Sequence, residues 1–452
     1  LRHFGEEVGR VDVTAIDDRS GPYGSPVDLV IDQYSPESWR LATEEAIARA
    51  RVGKDPTVVV LQHEYGLDPD RSGQDGKGTN FVNMTKAFAR EGLSTFVYLH
   101  TVLDHPDSHQ QRALQQLASS GEGLIVTTES AMDTLESSIY GIDHWKLTHI
   151  DHGIRMHHPS EYDRLAVKTK YGLDDIFLAT TLGMISPGKG IQYGIRAYGR
   201  FLAESCTPEQ RQRIVYLIAG EAHPGFMRAE GGRLYRQYGA RLAEALEQHG
   251  LRWCKVDDLG GVDFRRHDVV FLDAFLDEVS FLEIYGAANA VMLPYLDRSQ
   301  ISSGILAEAL GCGRVAIATK FRCALELIHS NKPCPSGVVI GRYARGILVD
   351  PGEDSVEQMA KALDLVVFNE DLRLRMEKEA HQRGHQMGWH NSAWALLQQV
   401  GFVSDQKEME AGRGPQFLRE TPSVLNEVGS QSRRGPGRRP FDGPERDDPY
   451  GS

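Results

Sequence analysis

The chain has 452 residues, of which 40% are hydrophobic and 25% are charged, and its net charge is −13. This length suits two domains of ordinary size, and the composition is that of a globular protein. The negative charge argues against general affinity for nucleic acid, because phosphate backbones bind basic surfaces. No apolar run reaches the roughly 20 residues that a membrane helix needs, so we expect no transmembrane segment.

The cysteines favour a reducing compartment. The chain has five of them, which are Cys206, Cys254, Cys312, Cys323 and Cys334. They are odd in number and scattered, and no two form a C-x-x-C pair. We therefore expect neither a disulfide framework nor a zinc site, and we predict a cytoplasmic protein. The chain begins at Leu1 with no signal-like apolar segment, which we interpret as a fragment or a processed chain.

Apolar, β-branched runs alternate with amphipathic helical patterns along most of the chain. The predicted strands are Val11–Ile16, Thr57–Gln62, Thr95–His100, Gly123–Thr128, Leu147–Ile150, Phe177–Leu182, Ile214–Gly220, Val269–Phe271, Ala290–Leu293, Val315–Thr319 and Gly346–Val349. Several are apolar throughout, as expected of parallel strands covered on both faces. Helices are predicted between them, for example over Ser38–Arg51 and His109–Ser119, and Ser130-Ala131-Met132-Asp133 is typical of a capping box. This alternation predicts an α/β protein with doubly wound sheets.

A polar, strand-free stretch from His152 to Asp174 divides the pattern into two halves. We predict a Rossmann-like N-terminal domain over residues 1–160 and a second Rossmann-like domain over 161–385. Residues 406–452 are rich in Gly, Pro, Arg and Asp and have little apolar periodicity. That composition predicts a disordered C-terminal tail.

Two loops of the second half combine glycines, hydroxyl groups and the start of a helix. One is the segment from Gly183 to Gly190, which follows a predicted strand and precedes a helix predicted over Ile191–Leu202. The other runs from Asp297 to Ser303, before a helix that begins at Gly304. The first N–H groups of a helix lack partners and its dipole is positive there, so such ends attract anions. Two of them in one domain suggest a diphosphate ligand.

These motifs resemble those of family 4 glycosyltransferases. GMISPGKGIQYGIRAY is similar to the family's phosphate loop, and QISSGILAEALGCGRVAIAT is similar to its acidic motif and the small-residue turn after it. Upstream, QHEYG, LHTVLDHP and DHGI are similar to N-domain segments of one subgroup. The resemblance covers about Asp12 to Val400. It implies the GT-B architecture, in which two Rossmann-like domains face a cleft.

The resemblance also concerns the two ends of this region. It implies that a helix over residues 386–405 crosses back onto the first domain, and Trp389 and Trp394 are spaced either to anchor that helix or to fill a core. Family members begin with a strand and a glycine-rich loop, whereas only LRHFGEEVGR precedes Val11 here. We therefore expect an incomplete N-terminal domain.

The activity that the resemblance implies is retaining transfer of a hexose from a nucleotide-diphosphate sugar, which is a co-substrate, with no other cofactor. Lys189 is the fixed cation for the leaving diphosphate, since a lysine at a helix N-terminus otherwise opposes the dipole. The N–H and hydroxyl groups of Ser302, Ser303 and Gly304 are expected to face the same diphosphate, although they can also simply cap the helix. Gly183 is expected beside them.

Two residues occupy the acidic positions of the family's motif. By resemblance Glu308 accepts hydrogen bonds from the ribose hydroxyls; alternatively it lies on the solvated side of its helix. Gln300 stands where the family has its first glutamate. An amide can hydrogen-bond a sugar hydroxyl but supplies no negative charge. It suits the front-face mechanism proposed for the family, in which the leaving phosphate helps to deprotonate the acceptor.

Other candidates follow predicted strands and are expected to face the cleft, where ligands bind in such sheets. By resemblance His100 contacts the donor sugar, although a lone histidine is more often structural. The backbone groups of Phe275 and Leu276 fall where the family reads the base. The remaining candidates are Gly220 with Glu221, Ala222 and His223 at the donor, His63, Glu64 and Tyr65 on the acceptor side, His152 and Gly153 at the hinge, and Tyr295 beside the donor or in the core.

A metal site is not expected. The sole Asp-x-Asp triplet, Asp68-Pro69-Asp70, falls in a polar loop far in sequence from both anion-seeking loops, and we expect it to be solvated. The donor is predicted to be a UDP-, GDP- or ADP-hexose, and the acceptor a carbohydrate or small molecule.

Two alternatives stay open. One is a sugar phosphorylase or nucleotide-sugar epimerase of the same architecture. Met184 stands where the family usually has an arginine, which argues against a phosphorylase because that enzyme must also hold free phosphate. The other is a degenerate protein that binds a nucleotide sugar without turnover, and Gln300 and the missing first strand favour it.

Overall fold

The structure is a computed structural model that describes residues 8–17, 23–24, 26–53, 56–68, 78–156, 163–222, 224–328, 341 and 343–410. Leu1–Leu397 forms one compact unit and Gln398–Ser452 another. The described part of the second unit is the end of the last helix, which runs to Glu410. The tail was predicted to begin at residue 406, which was wrong for residues 406–410, because they belong to this helix. The rest of the predicted tail lies outside the described residues.

Parallel strands form three sheets in the first unit. The strands are β1 (Thr14–Asp17), β2 (Leu29–Asp32), β3 (Val58–His63), β4 (Ser94–Leu99), β5 (Gly123–Val126), β6 (Leu147–His149), β7 (Phe177–Leu182), β8 (Ile214–Ala219), β9 (Trp253–Val256), β10 (Val269–Leu272), β11 (Ala290–Leu293), β12 (Val315–Thr319) and β13 (Gly346–Val349). β1 pairs with β2, and β3-β4-β5-β6 form the N-terminal sheet. The C-terminal sheet has the strand order β13-β12-β11-β7-β8-β10-β9.

Helices connect most of these strands, as parallel pairing requires. They are α1 (Pro36–Val52), α2 (Thr79–Arg90), α3 (Ser108–Ser120), α4 (Glu129–Glu136), α5 (Arg164–Lys170), α6 (Ile191–Ser205), α7 (Pro208–Arg211), α8 (Pro224–Arg228), α9 (Arg233–Gln248), α10 (Glu278–Ala287), α11 (Gly304–Gly311), α12 (Arg322–Ile328), α13 (Glu353–Phe368), α14 (Glu370–Gln386) and α15 (Trp389–Glu410). None of the helices in the described part of the chain is long and apolar enough to cross a membrane.

The C-terminal sheet is covered on both faces, which explains its continuously apolar strands. Val215 and Leu217 of β8 pack into one buried cluster, with residues of α10, α11 and α12. Their neighbours Tyr216 and Ile218 pack into a second cluster, with residues of α6 and α13. Because side chains alternate between faces along a strand, a sheet buried on both sides needs apolar residues at every position. The predicted doubly wound α/β fold is confirmed here.

The N-terminal sheet has its own core. Buried residues of α1 to α4 pack against β4 and β5, and the cluster includes Trp39, Phe81, Leu99 and Leu114. The ring of Trp39 meets that of Phe81 edge to face, with 4.9 Å between centroids. The pattern predicts that the strands from Val11 to Ile150 share one parallel sheet, which was wrong for the first strand: among the described residues β1 and β2 pair only with each other.

Most predicted strands match the observed ones, and two strands were missed. Phe177–Leu182, Ala290–Leu293, Val315–Thr319 and Gly346–Val349 have the predicted bounds. The missed strands are β2 and β9, each of only four residues. β9 lies at the edge of its sheet and is partly exposed, so its sequence WCKV lacks the apolar run of a buried strand.

Two local predictions in the N-terminal half were wrong. α4 begins at Glu129, so Ser130 lies inside the helix instead of capping it. Asp68 is fully buried instead of solvated. Its carboxylate accepts hydrogen bonds from Asn80 Nδ2 at 2.8 Å and from Phe81 N at 3.0 Å, so it satisfies donors at the start of α2. Pro69 and Asp70 lie outside the described residues.

The start of α15 packs on the segment that follows β6. Backbone hydrogen bonds join Ile154 N to Met387 O at 2.9 Å and Trp389 N to Ile154 O at 2.7 Å. A Cβ at Gly153 would collide with the Trp389 ring, so glycine is required where that ring lies. Trp394 is half-buried. Trp389 thus holds the start of α15 against this segment, although its own side chain remains 58% exposed.

Candidate functional site

A polar cavity of about 310 Å³ lies between the ends of strands from both large sheets. Its wall on one side comes from Glu64, His100 and Thr101, which follow β3 and β4. The opposite wall is the loop after β11, from Asp297 to Ser302. Since ligands of parallel sheets bind outside the carboxyl ends of the strands, this is the expected location of a site.

The loop after β11 is fixed by an apolar side chain, Ile301, that packs into the N-terminal core. Ile301 is buried among the residues of the N-terminal core. The backbone oxygen of Ile301 accepts a hydrogen bond from Thr127 Oγ1 at 2.7 Å. On the other side, Cys323 N donates to Gln300 O at 3.1 Å. The loop is therefore held by both halves of the molecule.

α11 begins at this loop. Ser303 is its N-cap, and Ser303 Oγ accepts a hydrogen bond from Leu306 N at 3.3 Å. The Gln300 side chain donates from Nε2 to Ser302 O at 2.7 Å. His152 lies beside the start of the helix, since a Cβ at Gly304 would be 3.7 Å from its ring. The predicted N-capping is confirmed, and the N-terminus of α11 lies next to the polar cavity.

His100 is held as a neutral hydrogen-bonding group. Its Nε2 lies 2.8 Å from Gln62 Oε1. Its ring stacks on Tyr98, with 5.4 Å between centroids. Burial, and secondarily the nearby His152, lowers the pKa of His100. A histidine with a lowered pKa is uncharged near pH 7, so it offers hydrogen bonds to a ligand without a positive charge.

Glu64 presents a carboxylate to the same cavity, and two hydrogen bonds orient it. Its oxygens accept from Tyr65 N at 3.1 Å and from Thr101 Oγ1 at 2.7 Å. The other two candidates predicted beside it were wrong. His63 is fully buried against the rings of Tyr65 and Phe81, and Tyr65 is itself buried. His63, the last residue of β3, points into the core. Of the three candidates His63, Glu64 and Tyr65, only Glu64 therefore lines the cavity.

Glycines set the geometry of the first anion-seeking loop. Gly183 and Gly220 have φ of +100° and +142°, and a Cβ at Gly220 would collide with Gly183 O. Gly190 has φ of +60°, and its Cβ would collide with Pro294 O. Positive φ favours glycine, and these contacts leave no room for a side chain. The loop is therefore fixed against the strand ends by its backbone.

Lys189 occupies the 3₁₀ turn Pro187–Lys189 of that loop. Its Nζ lies 3.8 Å from the centroid of the Tyr295 ring. Tyr295 is a buried core residue that stacks on Phe321 at 5.2 Å between centroids. Burial lowers the pKa of Lys189 to about 8. Among the described residues no carboxylate forms an ion pair with Lys189, so an anionic ligand would stabilise its charged form.

A second, mostly apolar cavity of about 300 Å³ lies between α10 and α11. It is lined by Glu278, Phe281, Leu282, Tyr285, Ile305 and Glu308. Burial raises the pKa of Glu308 to about 7. Its Oε1 accepts a long hydrogen bond from Arg155 N at 3.4 Å, and the Arg155 side chain pairs with Glu278. Glu308 therefore faces a pocket, not bulk solvent.

Four of the predicted site residues line one or other of these two cavities. His100, Gln300 and Ser302 line the polar cavity, and Glu308 lines the apolar one. Gly183 approaches the latter, because its Cβ would lie 3.3 Å from Ile305. Neither cavity is lined by Lys189, Gly220 or Leu276. Leu276 is buried, whereas Phe275 is 83% exposed.

Several lining residues were not predicted. Asp297 and Ser299 lie in the loop that the sequence singled out, where Asp297 Oδ1 accepts from Ser299 Oγ at 2.6 Å. Thr101 directly follows His100, within LHTVLDHP. Asp297, Ser299 and Thr101 could have been predicted from their position in these two motifs. The apolar lining from α10 had none, because its residues have the pattern of an ordinary core helix.

α12 also reaches across to the N-terminal half. The Glu326 carboxylate accepts hydrogen bonds from Glu129 N at 2.8 Å and Ser130 N at 3.0 Å, so it caps α4. Arg322, only 11% exposed in its side chain, pairs with Asp104 at 3.0 Å. Its guanidinium also donates to Thr134 Oγ1 at 2.6 Å. Two residues one helical turn apart thus join the two halves beside the polar cavity.

Within the described part of the chain, no group of three or more His, Cys, Asp or Glu side chains is arranged to hold a metal ion. His223 lies outside the described residues. Neighbouring Ala222 is buried and pairs with Ile185 through an isolated bridge, which ties the segment after β8 to the first anion-seeking loop.

Comparison with known proteins identifies the architecture. No protein-family model matches the chain, and no curated protein matches its sequence. Among solved structures, Anabaena HepE in complex with UDP aligns over 87% of this chain and 100% of its own, with TM-score 0.58 and 15% identity. Sucrose-phosphate synthase from Thermosynechococcus elongatus aligns over 87% and 82%, with TM-score 0.56 and 16% identity.

A trehalose-phosphate synthase from Burkholderia xenovorans is also similar. It aligns over 81% of this chain and 79% of its own, with TM-score 0.56 and 12% identity. At these identities the likeness concerns the fold. The chain therefore has the GT-B fold of glycosyltransferases, as its two large parallel sheets and the polar cavity between their strand ends also indicate.

Proposed function

We propose that this protein is a retaining, metal-independent glycosyltransferase of the family 4 type that transfers a hexose from a nucleotide-diphosphate sugar. The observation that carries the proposal is the environment of Lys189. A half-buried lysine, with no carboxylate partner among the described residues, lies in a glycine-fixed turn next to the strand ends of a GT-B fold. Burying an uncompensated charge is costly, so such a cation is best explained by an anion that binds there.

The same arrangement suggests how the donor binds. Lys189 neutralises the diphosphate, and the first N–H groups of α11 face it from the loop after β11. Glu308 lies in the apolar cavity, where its carboxyl group can accept hydrogen bonds from the ribose. The exposed Phe275 and the buried Leu276 follow β10, at the place we assign to the base. HepE is crystallised with UDP and with UDP-glucose, so UDP-glucose is the first donor to test.

The polar cavity is the proposed place of transfer. His100 and Gln300 bind the hexose hydroxyls, and Glu64 faces the acceptor, a carbohydrate or small molecule. In the front-face step, the bond from the anomeric carbon to the diphosphate oxygen breaks while the acceptor oxygen attacks from the same face. The acceptor proton passes to the leaving phosphate oxygen. Lys189 and the α11 N–H groups stabilise the charge that develops on the diphosphate.

The wider features of the proposal follow from this assignment. We assign residues 1–160 to an acceptor-side domain, 161–385 to a nucleotide-sugar-binding domain, and 386–405 to a helix that returns to the first. The backbone hydrogen bonds that join Ile154 to Met387 and Trp389 support the assignment of the returning helix. The described cysteines Cys206, Cys254, Cys312 and Cys323 are free, which is consistent with the cytoplasmic location that we propose.

The test begins with a thermal-shift screen against UDP-, GDP- and ADP-hexoses, since a ligand that binds only the folded state raises its stability. The donor that raises the melting temperature is then incubated with candidate sugar acceptors in the presence of EDTA. We expect a product whose anomeric configuration, read by NMR, equals that of the donor. Inversion would refute the retaining assignment, and loss of activity in EDTA would refute metal independence.

One observation favours a second candidate, a nucleotide-sugar-binding protein without turnover. Gln300 has no carboxylate, and its amide is engaged by Ser302 O. Nucleotide binding without hydrolysis or transfer of any donor would support this candidate. Gln300→Glu then decides between the two, because a restored carboxylate is expected to raise turnover only where the remaining machinery is competent.

A further inference from the structure

Two histidines lie one helical turn apart on α14, and neither of them lines the polar or the apolar cavity. His381 and His385 are four residues apart in the helix, so their side chains share a face. Their rings meet edge to face, with centroids 4.4 Å apart and an interplanar angle of 87°. The two Nε2 atoms are 3.0 Å apart.

Close helix packing fixes one of these rings. A Cβ at Gly384 would lie 2.7 Å from Gly311 N, so glycine is needed where α14 meets the end of α11. There His381 Nδ1 lies 3.1 Å from Gly311 O. That oxygen belongs to the last residue of α11 and has no partner within the helix. Because a carbonyl oxygen only accepts, neutral His381 carries its proton on Nδ1 and its lone pair on Nε2.

This tautomer leaves Nε2 free to bind a metal, which is one of the two ways in which histidines coordinate metal ions. A ligating imidazole commonly donates its other N–H to a backbone carbonyl, which fixes both the ring and the free lone pair. His385 is exposed, and its Nε2 faces the lone pair of His381.

We propose that His381 and His385 form a surface site for a transition-metal ion of the Cu²⁺, Ni²⁺ and Zn²⁺ class. Imidazole nitrogens suit these ions, with bond lengths of about 2.0–2.1 Å to zinc. Two nitrogens 3.0 Å apart match adjacent positions in such a coordination sphere. To bind, His385 moves its ring proton from Nε2 to Nδ1, and both Nε2 lone pairs then face the ion.

Water completes the coordination sphere. The part of the chain that the structure describes has no cluster of three or more candidate ligands, so two protein nitrogens hold the ion. The affinity of this site for the metal ion is therefore lower than that of a structural site with four protein ligands. The site is separate from the proposed donor diphosphate, and metal binding here is compatible with transfer that needs no metal.

The test is a Cu²⁺ titration of the full, tag-free chain, followed by electron paramagnetic resonance, with calorimetry for Ni²⁺ and Zn²⁺. Two variants each remove one ligand. His381→Asn keeps an N–H that can donate to Gly311 O but has no nitrogen at the Nε2 position, and His385→Ala removes the exposed ring. The control His249→Ala removes a histidine at the end of α9.

We expect one Cu²⁺ ion per chain with two nitrogen ligands. Each variant should bind at least about 10-fold more weakly, by comparison with the 10–100-fold that outer-shell changes alone cost. His249→Ala should match the parent. Unchanged affinity in both variants, or a signal with a single nitrogen, would overturn the proposal. Binding of Mg²⁺ as tight as that of Cu²⁺ would do the same, because Mg²⁺ prefers oxygen ligands.

A thermal measurement separates misfolding from ligand loss. Without metal, all variants should melt cooperatively close to the parent. Excess Zn²⁺ should raise the melting temperature of the parent and of His249→Ala but not that of the two site variants. An equal rise in all four proteins would place the ion elsewhere and contradict the proposal.

Discussion

The two sides of the cleft are built in different ways. On the C-terminal side, backbone atoms set the geometry: Gly190 and Gly220 adopt positive φ and touch the carbonyl oxygens of Pro294 and Gly183. On the N-terminal side, hydrogen bonds between side chains do so, such as His100 to Gln62 and Thr101 to Glu64. A backbone contact tolerates few substitutions, whereas a side-chain network can be exchanged residue by residue. If the proposed function holds, the C-terminal wall would bind the part of the ligand that stays constant, and the N-terminal wall could vary with the acceptor.

The largest effect is expected where the backbone contact is broken. Gly190 and Gly141 have nearly the same φ, +60° and +61°, but only Gly190 has a neighbour that a Cβ would strike. Gly141→Ala should therefore cost about 1 kcal/mol in free energy of unfolding, from the conformation alone. Gly190→Ala should cost about 3 kcal/mol or more, because Pro294 must also shift.

Urea denaturation of the two variants measures this difference. Equal losses of stability would show that the contact between the loop and Pro294 is not tight. The claim that backbone contacts set the geometry of the C-terminal side of the cleft would then be wrong.

A second prediction concerns Glu308 and pH. Burial raises its pKa in the folded protein to about 7, from about 4.5. The folded state thus binds the proton more tightly than the unfolded state. Stability should fall as pH rises from 4.5 through 7 and then level off. Glu308→Gln stays neutral, so it should be more stable than the parent above pH 7 by about 2–3 kcal/mol.

Thermal or urea unfolding at pH 4.5 and pH 8 tests this sign. At pH 4.5 the parent and the variant should be nearly equal, which provides an internal control. If the variant is no more stable than the parent at pH 8, Glu308 is not held in an apolar pocket.

The smallest effect is expected at the contact between the halves. Glu326→Ala removes the carboxylate that caps α4, which should cost about 1 kcal/mol, the usual value of an N-cap. Asp133→Ala, an exposed position in the middle of α4, should change stability by less than about 0.5 kcal/mol. Denaturation in urea compares the two. Equal effects would mean that α12 does not hold the N-terminal half in place.

The fold was more predictable than the site. Parallel strands such as Ala290–Leu293 are apolar at every position, so they could be placed from sequence. A motif residue whose side chain caps a helix, Ser303, was also recognised, because capping depends on local sequence. The burial of His63 and Asp68 could not be predicted from the sequence, because it depends on which face of a strand or loop packs against α2. Likewise, Glu326 caps a helix almost 200 residues away, and no local pattern indicates such a contact.

The central claim is that Lys189 binds the donor diphosphate, and calorimetry with a nucleoside diphosphate tests it most directly. Lys189→Ala should weaken binding by roughly 1.5–3 kcal/mol, the scale of hydrogen bonds to charged groups. Lys361→Ala, an exposed lysine of α13, should leave it unchanged. Since the pKa of Lys189 is about 8, affinity of the parent should fall as pH rises above that value, and this dependence should disappear in Lys189→Ala. Equal affinity and the same pH dependence in the parent and in Lys189→Ala would contradict the account.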